Sequence, residues 1–210
     1  MTRLLDTGLE QLTVMVYKSG EIAKSALNMA FSGFMNGVDA MDDVRDLSDV
    51  ISSMTVEIEN KAFELIAKYQ PVASDLRIIN SYMKIAYDFE RYGRYAWDIS
   101  FTYKKVGGLG ECGVASDFMP KLVEKVSEMV NKSVEALRCQ DAELAKSLAV
   151  TEKEVDELYF LYLDQLSKSR GKIAMCNLLV SRYLERIADH TTYVGEAIVY
   201  ISTGEKLSLR

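Results

Sequence analysis

Four oxygen-bearing side chains share one face of a single stretch near the end of this chain. In residues 178–204, LLVSRYLERIADHTTYVGEAIVYISTG, a helical repeat of about 100° per residue places Glu185, Asp189, Thr192 and Glu196 within about 60° of one another. Glu185 and Asp189 stand at i and i+4, where like charges repel unless something offsets them. A hard cation is one such offset, and oxygen-only ligands suit Mg, Ca, Mn or oxidised iron. Glu152 and Asp156 form a second i, i+4 pair that can face the first, and helix bundles build carboxylate metal sites from facing helices. Arg182 and Arg186 offer neutralisation without metal, and a plain solvated acidic face is the third reading of the same spacing.

Other chemistry finds little support. His190, the single histidine, directly follows Asp189 and is turned about 100° from it, off the centre of the acidic ladder, and no nucleophile motif stands near it for a triad. The glycine cluster Gly107-Gly108-Leu109-Gly110-Glu111-Cys112-Gly113 lacks the lysine and the preceding strand of a phosphate loop. Turnover is therefore not expected, and the chain reads as a binding protein rather than an enzyme.

The elements that carry these residues repeat. Glu90-Arg91-Tyr92-Gly93-Arg94 matches Glu185-Arg186-Ile187-Ala188-Asp189 at an offset of 95 positions, each inside a long stretch of helical apolar periodicity. Asp39-Ala40 and Asp141-Ala142 open corresponding segments. The reading is all-α: two tandem three-helix bundles, with residues 1–106 as the first repeat, 107–115 as a glycine-rich linker and 116–210 as the second repeat.

Within that plan the first helix spans 3–36, weakened by Gly8 and Gly20. The second spans about 39–69, is capped by Asp39, is stopped at Gln70-Pro71, and has an apolar stripe of Val44, Leu47, Val50, Met54, Ile58, Phe63 and Ile66. The third runs to about Lys105, and its aromatics Tyr87, Phe89, Tyr92, Tyr95, Trp97 and Phe101 suit a core and a dimer contact. The fourth reaches about Arg138, the fifth runs from Asp141 to about Ser169, and the sixth ends at Gly204. The sixth packs through Leu184, Ile187, Thr191, Val194, Ile198 and Ile201.

A net charge of −6 and a pI near 5.0 argue against a nucleic-acid partner. The dispersed Cys112, Cys139 and Cys176 suggest free thiols. With no secretory signal and no spanning apolar run, a cytoplasmic protein with at most peripheral membrane contact is expected.

Three segments resemble the PhoU family: Gln70-Pro71-Val72-Ala73-Ser74-Asp75-Leu76-Arg77, Asp88-Phe89-Glu90-Arg91-Tyr92-Gly93, and Leu184-Glu185-Arg186-Ile187-Ala188-Asp189-His190. The resemblance implies a negative regulator of phosphate uptake and phosphate signalling that contacts a phosphate ABC transporter and its sensor kinase, as a homodimer. It also implies iron or zinc clusters on motifs of the form Glu/Asp-x-x-x-Asp. Glu185 and Asp189 match the second motif intact. Glu90 matches the first, but Arg94 stands at its fifth position, so that site should be lost or altered, with Asp98 as a substitute ligand. Tyr193 and Trp97 are further departures, where the family usually has Asn.

Overall fold

The computed structural model describes residues 4–107 and 117–209; most of the expected linker, 108–115, lies outside them. The described residues form helices and no strands: α1 (Leu4–Asn36), α2 (Met41–Tyr69), α3 (Ala73–Thr102), a π-helical turn (Tyr103–Gly107), α4 (Phe118–Cys139), α5 (Ala142–Lys146), α6 (Leu148–Ser167) and α7 (Lys172–Thr203). Helices α1, α2 and α3 pack on one another, as do α4, α5–α6 and α7. Contacts of α3 with α7, and of α1 with α4, join the two groups.

The boundaries follow local chemistry. Asp39 accepts the Met41 N–H at 3.1 Å, so α2 starts two residues later than its first acid and the capping oxygen comes from outside the helix. That bond, with Lys104 3.0 Å away, holds the Asp39 carboxyl below its usual range. Asp141 caps α5 directly, accepting the Glu143 and Leu144 N–H groups at 2.9 and 3.0 Å. Gln70 takes a left-handed conformation ahead of Pro71 and ends α2, and Gly204, at φ 81°, ends α7.

Three expectations need correction. The single fifth helix is divided at Ser147, whose hydroxyl bonds back to the Leu144 carbonyl at 2.7 Å. The stripe on α2 is also displaced: Val44, Ile51, Thr55, Ile58, Ala62 and Leu65 are buried, whereas Val50 and Phe63 are exposed. The stripe of α7 is as read, with all six of its residues buried. Cys139 is exposed and free, but Cys176 is buried and disulfide-bonded, against the expectation of free thiols; a pairing between distant residues leaves no mark in local spacing.

Gly20 does not interrupt α1. It is a contact point, since a Cβ there would stand 2.7 Å from the Phe89 ring on α3. Alanine would gain about 1 kcal/mol in helix propensity, but overpacking against a fixed aromatic costs about 1–3 kcal/mol. Gly20→Ala should therefore lower the midpoint of equilibrium urea unfolding; an unchanged or higher midpoint would show that α1 and α3 have room to separate.

Candidate metal centre

Helices α6 and α7 bring the two predicted acid pairs together. Glu152, Asp156, Glu185 and Asp189 line one hollow of about 530 Å³, with Lys153 and Arg186 at its margin. Each pair is one turn of its own helix, and α6 packs against α7, with Val155 and Leu184 buried in the core on the inner side of each, so the acids lie along one seam. Glu152 and Asp189 are buried.

The arginines take the role that the sequence left open. Arg182 donates to Glu185 Oε2 and Arg186 to Asp189 Oδ2, both at 2.5 Å, each from one turn earlier on α7. These pairs do not cancel the crowding at Glu185. Burial pushes its carboxyl above the usual range, Asp189 and Asp156 add to the rise, and Arg182 and Arg186 oppose it. Among the described residues, no three acidic, histidine or cysteine side chains stand close enough to share one ion. The hollow therefore offers an oxygen-rich lining whose two α7 carboxylates are each paired with an arginine of the same helix.

Glu90 and Asp98 also meet, in a separate hollow of about 410 Å³ between α2 and α3 that includes Asp49. Here the cations are closer to dominant. Arg91 and Arg94 line the same space, Arg94 reaches Asp98 at 3.7 Å, and the Ser52 hydroxyl donates to Glu90 at 3.0 Å. Burial raises the Asp98 carboxyl, with Arg94 and Arg91 pulling it back. The other ladder residues leave the site. The Thr192 hydroxyl donates to the Asp189 backbone carbonyl, and Glu196, on the same face but about two turns beyond Asp189, accepts the Leu209 N–H at 2.9 Å.

His190 is neither at the surface nor among the acids. It is buried against α3, with Nδ1 2.8 Å from Asp88 Oδ1 and the rings of Tyr87, Tyr95 and Tyr193 around it. Burial raises the Asp88 carboxyl and His190 draws it down. Sequence reasoning missed this pair; the available signal was an acid on the core side of α3, two residues before Glu90. At the repeat offset of 95, the contact corresponds to Tyr183 and Tyr95, which indeed stack at 6.1 Å between ring centroids. Two equivalent arginines, Arg91 and Arg186, also converge on the Tyr95 hydroxyl.

The duplicated architecture has a counterpart in known proteins. The PhoU domain matches this chain twice, over residues 16–101 and 119–198. The chain belongs to the PhoU family. A phosphate-specific transport system accessory protein PhoU homolog of Clostridium acetobutylicum is 32% identical, covering 100% of this chain and 99% of that protein. One from Aquifex aeolicus is 35% identical over 94% of this chain and 92% of its own length. The crystal structure of PhoU from Pseudomonas aeruginosa superposes with a TM-score of 0.89 at 27% identity, covering 95% of this chain and 99% of that one. Among the described residues, no PhoU helix here is long and apolar enough to cross a membrane.

A carboxyl held above its unfolded value of 4.5 destabilises the fold when ionised. The cost is complete above the folded pKa and is lost as pH falls below the unfolded one. Glu185→Gln should thus raise the melting temperature in chelator at neutral pH, on the order of a degree or two for a chain this size. The difference should close below about pH 4.5. A lower melting temperature at neutral pH would mean that the Arg182 pair outweighs the crowding.

Proposed function

We propose that this protein is an accessory regulator of a phosphate transport system, restraining phosphate uptake and signalling by docking on partner proteins without turnover. The observation that carries the reading is the end-to-end match to a curated phosphate-specific transport accessory protein, over 100% of one chain and 99% of the other. Transporter components and the associated sensor kinase are the partners, met in the cytoplasm by a homodimer. The dimer surface is not the buried aromatics of α3, because Phe89, Tyr92 and Tyr95 are consumed within the fold.

The α6–α7 hollow is the cation-responsive part of this reading. Glu152, Asp156, Glu185 and Asp189 would hold the metal once Arg182 and Arg186 swing outward, and the ion would supply the positive charge that the crowded carboxylates lack. A donor set without thiol or imidazole suits oxidised iron, manganese, magnesium or calcium better than zinc. Glu90 and Asp98 face two arginines, so the first half is the weaker site. Metal loading followed by elemental analysis should be abolished by Glu185→Ala with Asp189→Ala and preserved in Glu90→Ala. Loss of metal in Glu90→Ala would reverse that ranking.

The functional test is phosphate uptake in a strain lacking the gene, grown with ample phosphate. Uptake should stay severalfold above the parent, and the Glu185→Ala, Asp189→Ala chain should fail to restore it. Uptake at the parental level would refute the phosphate reading and favour an accessory regulator of a different ion transport system.

A further inference from the structure

A third hollow, apart from both acidic ones, lies between α3 and α7 and has a volume of about 560 Å³. That is within the range of small-molecule pockets, about 300–1,000 Å³. Lys206 and Leu207, in the segment that follows α7, form one wall; this segment is tied down where the Leu209 N–H meets Glu196 and the Leu209 side chain is buried. We propose that this hollow binds a nucleoside monophosphate.

The charges point to an anionic ligand. Asp88 in the wall is engaged by His190 at 2.8 Å, and Glu196 by the Leu209 N–H at 2.9 Å. Lys84 and Lys206 form no ion pair among the described residues; Lys84 acts on Asp88 only at a distance, and Lys206 lies over the Tyr200 ring. Both ammonium groups are exposed and can turn to a phosphate.

The remaining walls select what carries that anion. Tyr87, Tyr193 and Tyr200 supply ring faces, and Met83 and Leu207 add apolar surface, which together suit a flat base. Asn80 is exposed beside the rings and offers both a donor and an acceptor to a base edge. Inorganic phosphate would leave the rings unused, and a fatty acid would leave Asn80 unpaired.

The test is calorimetric titration of the full chain with AMP, GMP, CMP and UMP in turn, and with inorganic phosphate and adenosine. At least one nucleotide should bind with Kd below about 1 mM. Phosphate and adenosine should each be at least tenfold weaker than that nucleotide. Lys84→Ala and Lys206→Ala, both at exposed positions, should each weaken it about fivefold, and the double lysine variant should weaken it further. The proposal is overturned if none of the four nucleotides binds, if phosphate alone binds as tightly, or if the double lysine variant binds like the parent. The lining shares no residue with the α6–α7 carboxylates, so failure here leaves the phosphate-transport reading standing, and the reverse holds too.

Discussion

Helices α3 and α7 must each be buried twice, once in their own bundle and once against each other. An ordinary amphipathic helix has one apolar stripe and one wet face, so this double duty leaves little of either helix for water. The demand explains their composition. Glycine and small residues such as Gly93, Ala96, Ala188 and Gly195 let neighbouring helices close in, and long aromatics fill the angles between the bundles. Every candidate site in this protein lies at the margin of this pair, where polar side chains still reach solvent.

The acidic hollow is an arrangement under tension. Packing of α6 on α7 forces four carboxylates into one space, and two arginines from the same helix hold the charge without relieving it, as the raised carboxyl of Glu185 records. Perturbed acids in a concave site are a common mark of function. The first half shows the other resolution of the same problem, because Arg94 stands where the second half has Asp189 and the hollow around Glu90 is a mixed-charge surface. Of the two repeats, the second holds four carboxylates in one hollow, and the first mixes its acids with Arg91 and Arg94.

Much of this was readable before any coordinates. The repeat, the caps at Asp141 and Gly204, the stripe of α7 and the meeting of Glu152 and Asp156 with Glu185 and Asp189 all follow from spacing and local propensity. What escaped was set by contacts between distant segments. The face of α2 was misjudged because apolar residues occur all round it, and only the approach of α1 and α3 selects Ile51, Thr55, Ala62 and Leu65 over Val50 and Phe63. The Thr55 hydroxyl even reaches the Ala86 carbonyl at 3.3 Å, a tertiary bond with no local sequence signal. His190 was placed on the helix correctly but without its partner, since Asp88 is 102 residues away.

The unequal contacts between α3 and α7 also govern which halves can associate. In the native pairing, Asp88 meets His190 while the equivalent position is a stack of Tyr95 on Tyr183. Were two first halves to dock in the same manner, each Asp88 would face a Tyr95, leaving two buried carboxylates with no imidazole. Two second halves would place each His190 against a Tyr183 with no carboxylate. Burying an uncompensated charge costs more than most single contacts return. Divergence at these four positions thus gives the duplicated chain a lock and a key of its own, steering each half towards its sister within the chain and away from copies of itself.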